Sequence, residues 1–120
     1  MINLFVDEAL RAEEHPGIVF RAGPSGRRAG LVDGPDIWEV IATLRSLQES
    51  DKNLADDSLV EETADSLGLS VRQVRRAVRY YADFRAEIDD RITTNDETAS
   101  RDEAIWLEER RVLRTDGRSA

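Results

Sequence analysis

Hydrophobic and polar positions alternate along this chain with changing period, and the changes divide it. In "INLFVDEALRA" (residues 2–12), Ile2, Phe5, Val6, Ala9 and Leu10 fall roughly on one helical face. The spacing predicts a short helix within residues 2–14, ended by "HPG". In "IVFRAGPSGRRAGLVDG" the period changes. Ile18–Arg21 and Arg28–Val32 are short β-compatible runs, and "AGPSG" between them has turn chemistry, because Gly tolerates positive φ and Pro fixes its own φ. A β-hairpin or ribbon is expected, with an ordered loop as the alternative.

The helical period then returns. In "DGPDIWEVIATLRSLQES", Ile37, Val40, Ile41, Leu44 and Leu47 form one apolar stripe, Asp33 or Asp36 can cap its start, and Pro35 suits the first turn. "SDKNLADD" is polar and reads as a connection. Two further helices follow in "LVEETADSLGLSVRQVRRAVRYY". Val60 to Ser66 forms the first, and Gly68 falls where a helix ends with positive φ. Ser70 opens the second, with Gln73 three residues on as a capping box requires. Val71, Val74, Val78 and Tyr81 are expected on its inner face, while Ala64 supplies a small side chain where the two helices approach. A short helix, a tight glycine turn and a second helix make a helix-turn-helix.

Charge gives this unit a second meaning. The 120-residue chain carries net charge −8, yet Arg72, Arg75, Arg76 and Arg79 stand together with no acid before Asp83. Opposite the apolar stripe, these arginines and Gln73 suit a helix that enters the major groove of DNA, where Arg forks bind guanine or phosphate and Gln reads adenine. A solvated basic face is the alternative. Arg21, Arg27 and Arg28 offer a second basic spot on the ribbon, either as phosphate contacts or as residues that only flank a turn. Lys52 is the only lysine among 17 basic residues, a bias that a high-GC genome also explains.

Beyond Tyr81 the chain is helix-compatible and highly charged, with a thin apolar stripe. Phe84, Ile88 and Ile92 begin it. Ile92, Ala99, Trp106 and Leu113 recur every seven residues, with Ile105 and Val112 beside the last two. A lone helix cannot bury so sparse a stripe unaided, so it needs the domain core, a second copy or another protein. Trp106 is the expected anchor, because buried Trp is enriched at binding hot spots. The acids around it suit either a basic partner surface or solvent.

Composition excludes several classes. The chain has no cysteine, hence no disulfide or thiolate metal site, and no apolar run long enough to span a membrane. The N-terminus lacks the basic region of a signal peptide. A cytoplasmic protein of bacterial type is the default. No catalytic, metal or cofactor residues are assigned: His15, the only histidine, sits before Pro16 in a turn, and neither Asp56–Asp57 nor Asp89–Asp90 belongs to a larger acidic set. The expected architecture is mainly α, a homeodomain-like helix-turn-helix with a short β-hairpin and an extended C-terminal helix. Its parts are an N-terminal segment 1–16, a DNA-binding domain 17–82, a docking segment 83–115 and a disordered tail 116–120.

"HPGIVFRAGPSGRRAGLVDGPDIWEVIATLRSL" followed by "LVEETADSLGLSVRQVRRAVRYYADFRAEIDDRI" resembles the small bacterial proteins of domain of unknown function family 433. The likeness covers roughly residues 15–92, and "YYADFRAEID" is its most specific part. It implies a VapB-like antitoxin that binds a PIN-like ribonuclease toxin through one end and operator DNA through the other. A homodimer or a larger toxin–antitoxin assembly is the expected state of this chain. On that footing Ile105, Trp106 and Leu113 would seat in a toxin groove, and Arg110, Arg111 or Arg114 would reach the carboxylates of its active site. The alternatives are a stand-alone dimeric transcription regulator and an adaptor whose arginines bind an acidic protein.

Overall fold

The computed structural model describes residues 4–23 and 26–118. The order of elements is α1 (Leu4–Glu14), β1 (Ile18–Gly23), β2 (Gly26–Leu31), α2 (Ile37–Ser50), α3 (Asp56–Leu67), α4 (Val71–Asp83) and α5 (Arg85–Arg118). The protein is mainly helical, with one two-stranded antiparallel hairpin and a long C-terminal helix, as the sequence predicts. No helix among the described residues is long and apolar enough to cross a membrane.

β1 and β2 pair as an antiparallel hairpin. Its register pairs Ile18 with Leu31, Phe20 with Ala29 and Arg21 with Arg28. The face carrying Ile18, Ala29 and Leu31 is buried on the helices. The helix α2 is central and packs on α3, α4, α5 and β2. Ile37, Val40 and Ile41 of its predicted stripe are buried, and Leu44 and Leu47 lie at the margin. The helices α2, α3 and α4 all pack on one another, so the helix-turn-helix pair rests on a third helix.

Several expectations shift. The helix α3 starts at Asp56, earlier than the predicted Val60, because Asp56 and Asp57 complement the helix dipole from its first turn. Asp51 shapes the connection before it, accepting the Asn53 amide at 3.1 Å. Asp36 is the residue before α2, but its side chain makes no capping bond, and Pro35 lies outside the helix. On α4, Val74, Ala77 and Tyr80 are buried, while Val71 is exposed and Val78 and Tyr81 are only partly covered. The inner face is turned because the Tyr80 hydroxyl finds partners inside, accepting from Arg11 and donating to Glu87 at 3.0 Å each. Tyr81 instead donates to Asp89 at the rim, 2.8 Å away.

The N-terminal helix also docks differently. Ile2 and the side chains of Phe5 and Val6 lie outside the described residues, and Ala9 and Leu10 are exposed. Among the described side chains of α1 the buried one is Glu8, whose carboxylate accepts from Nε and Nη2 of Arg27.

The chain breaks direction at Phe84, whose φ of −128° and ψ of 44° separate α4 from α5. Ile88 and Ile92, assigned by sequence to the docking segment, belong to the same core as the helix-turn-helix. From Thr93 to Arg114 every side chain is exposed. A helix of 34 residues is about 51 Å long, so most of α5 projects from the domain. The radius of gyration of 18.6 Å agrees, since a compact chain of this length would give about 14 Å. The helix runs on to Arg118, into the stretch predicted as a disordered tail; residues 119 and 120 lie outside the described ones.

The turn between α3 and α4 depends on Gly68 at φ 68° and ψ 32°, where an added Cβ would meet nothing within 4 Å. The penalty for a side chain there is purely conformational. Gly68→Val should therefore cost about 1–3 kcal/mol and lower the Tm by several degrees in thermal denaturation. A variant that melts with the parent would show that the turn does not constrain the fold.

Candidate nucleic-acid interface

The α3–α4 corner is fixed by its own backbone. The Leu69 amide donates to the Ala64 carbonyl at 2.9 Å, closing α3 over the left-handed Gly68. Ser70 then starts α4: its Oγ accepts the Gln73 amide at 3.1 Å, and its own amide donates to Gln73 Oε1 at 2.9 Å. This is the complete capping box that the sequence predicts. Gln73 Oε1 thus accepts one bond within the cap, and a two-point contact with adenine would use its second lone pair and the Gln73 NH2 group.

Arg72, Arg75, Arg76 and Arg79 stand at i, i+3, i+4 and i+7, which is one stripe of a helix. Arg72, Arg75 and Arg79 are exposed and Arg76 is partly covered. Together with Val71 they line an open concavity on the outer side of α4. Arg75 is paired with Asp57 at 2.9 Å, with both side chains largely in solvent. Exposed pairs of this kind are worth about 0–1 kcal/mol, so a phosphate can displace Asp57. The buried face of α4 is uncharged, with Val74, Ala77 and Tyr80 all at 0% exposure, so the arginine stripe has a rigid backing.

The hairpin arginines prove to have internal partners. Arg21 Nη1 lies 3.1 Å from Asp36 Oδ1, and Arg28 Nε stands 2.7 Å from Asp36 Oδ2 as an ion pair without hydrogen-bond alignment. Arg21 also donates to the carbonyls of Leu31 and Gly34. Arg27 is bound to Glu8. Gly30 provides the room, since a Cβ there would lie 2.2 Å from Arg21 Nη1. Asp36, 6% exposed, is thus the shared anion of two cross-strand arginines. The register sets Arg21 opposite Arg28, and like charges facing across a ladder call for a counter-ion, though the sequence pattern alone does not single out Asp36 as that ion.

On the projecting part of α5, Ile105, Trp106 and Leu113 are each at least half exposed, and Leu107 and Val112 extend the apolar surface. The Arg110 guanidinium lies over the Trp106 ring at 4.9 Å. Arg111 pairs with Glu108, and at 100° per residue it stands about 140° around the helix from Trp106. Arg114 is exposed. The structure therefore groups Trp106, Leu113 and Arg110, and sets Arg111 apart. His15 is buried in its turn, with Nε2 2.8 Å from Asp83 Oδ2. Among the described residues no group of three or more His, Cys, Asp or Glu side chains is arranged to hold a metal ion. No protein-family model, curated protein or solved structure matches the chain.

Asp36→Ala should lower stability by about 1–3 kcal/mol, the scale of charged hydrogen bonds discounted for arginines that are about one-third exposed. Thermal melting checks this. An unchanged Tm would mean that the hairpin arginines do not depend on Asp36.

Proposed function

We propose that the chain is an antitoxin: it binds operator DNA through the arginine stripe of α4 and a PIN-like ribonuclease through the projecting part of α5. The observation that carries the DNA half is the stripe itself. Arg72, Arg75, Arg76 and Arg79 occupy the outer face of the second helix in a helix-turn-helix, in a chain whose net charge is −8. Solubility alone does not require that clustering. Recognition helices meet base edges with such a face, and the arginine fork matches both guanine and phosphate.

The partner half rests on α5 and on the resemblance to family 433. Trp106 and Leu113 are apolar, exposed and supported by no other element. PIN-like nucleases hold metal with clustered carboxylates, and Arg stays charged when desolvated. Arg110 and Arg114 lie nearer the Trp106 face than Arg111 does and are the better placed to reach such a site. A second reading is a dimeric regulator without a toxin, in which α5 pairs with its copy. The seven-residue spacing of Ile92, Ala99, Trp106 and Leu113 favours it.

One two-armed experiment tests the proposal. The first arm measures binding to the DNA upstream of the gene by mobility shift; the second measures capture of the protein encoded by the adjoining gene. Arg75→Ala with Arg76→Ala should weaken DNA binding at least about tenfold, since even one lost base contact is worth about 1–3 kcal/mol, and should leave capture intact. Deleting residues 104–120 should abolish capture and leave DNA binding largely unchanged. Equal DNA affinity in the double variant overturns the DNA assignment. A truncated protein that still captures and neutralises its neighbour overturns the α5 assignment.

A further inference from the structure

The four arginines of α4 are not equivalent. Arg72 and Arg75 lie on its N-terminal half, in the concavity at the outer face. Arg76 and Arg79 line that concavity too, but they also line a second cleft, whose other wall is His15 and Pro16 from the turn between α1 and β1. Arg76 is the half-buried member of the set because it lies flat against that turn. Gly17, at φ 91°, has no Cβ; one added there would stand 2.9 Å from Arg76 Nη1 and 3.1 Å from its Cδ.

The turn is a fixed wall. The His15 amide donates to Arg11 O at 2.8 Å, and the Val32 amide donates to Gly17 O at 2.9 Å, tying the turn to α1 and to the end of β2. The His15 ring is 4% exposed, packs edge-on against Tyr80 and Phe84, and is joined to Asp83 at the end of α4. Asp83, four residues beyond Arg79, is thus engaged by His15 and does not line the cleft.

We infer that Arg76, Arg79 and the His15–Gly17 turn form a seat for a backbone phosphate of DNA, while Arg72 and Arg75 face the bases. The inference rests on the DNA-binding reading of α4. A recognition helix places its N-terminal residues on base edges, and its later turns pass the sugar–phosphate strand. An arginine laid on a backbone turn cannot extend along the floor of a groove, but its fork can take a phosphate at the groove's edge. Gly17 is then a positioning residue, needed because any side chain would lift Arg76 from its place.

The test is the salt dependence of binding by the full-length protein, measured by fluorescence anisotropy on two duplexes, one from the upstream DNA and one of scrambled sequence. Each phosphate contact contributes about 0.9 to the slope of log K against log salt. Arg79→Gln should reduce that slope by about 1 and weaken both duplexes by the same factor. Gly17→Ala should do likewise although it removes no charge. Arg72→Gln should weaken the upstream duplex more than the scrambled one. If Gly17→Ala does not fold, as judged by circular dichroism, Arg76→Gln replaces it with the same expectation. Unchanged slopes, or a loss confined to the upstream duplex in Arg79→Gln, overturn the seat alone. Failure of the parent protein to bind either duplex overturns the DNA reading and the seat with it.

Discussion

Tyr80 is fully buried, and most of the architecture meets at its ring. It is the largest of the fully buried side chains. Its ring is edge-on to Phe20 of the hairpin and His15 of the first turn, and is stacked at a tilt on Phe84. A buried hydroxyl without partners would cost about 1–3 kcal/mol; here Arg11 donates to it from α1, and it donates to Glu87 on α5. Burial, and then the charge of Glu87, push the phenol above its ordinary pKa, so it stays neutral and keeps both bonds. One side chain on α4 thereby orients the N-terminal helix, the hairpin and the root of the long helix. The arginine stripe faces outward because this side faces in.

The remaining charges separate by what they touch. Arg21 and Arg28 converge on Asp36, Arg27 is held by Glu8, and Arg11 bridges Asp7 and Glu87. Arg45 binds Asp89 and Tyr81, and the Tyr81 hydrogen bond, followed by that of Arg45, lowers the Asp89 pKa. Apart from Arg11–Asp7, which lies within α1, these pairs join separate elements, and their guanidinium groups are partly covered. The stripe on α4 is different in kind: among the described residues its ion pair, Arg75 with Asp57, is solvent-exposed and weak. An acidic chain can therefore present a basic surface, because acids neutralise the structural arginines and, among the described residues, the stripe on α4 keeps only the exposed pair with Asp57.

The local parts of this fold were legible in the sequence. Gly68, Ser70 and Gln73 announce the turn and the cap through short-range chemistry, and the apolar period of Ile37, Val40 and Ile41 fixes the inner face of α2. What escaped depends on contacts distant in sequence. Tyr80 and Tyr81 are adjacent and chemically alike; only Arg11 and Glu87, 69 and 7 residues away, decide that Tyr80 goes inside. Asp36 looked like a helix cap because nothing local shows that Arg21 and Arg28 will claim its carboxylate. In the candidate site, the arginine stripe could be read from spacing alone. The wall built by His15, Pro16 and Gly17 could not, since no short-range pattern brings that turn to Arg76.

The most direct test of the central claim is an NMR titration of the arginine Nε–H groups with the upstream DNA duplex. The account predicts that the signals of Arg72, Arg75, Arg76 and Arg79 shift together as duplex is added, while those of Arg21, Arg27 and Arg28, held by their carboxylates, stay in place. Shifts confined to the hairpin arginines or to α5, with the α4 signals unmoved, would contradict it.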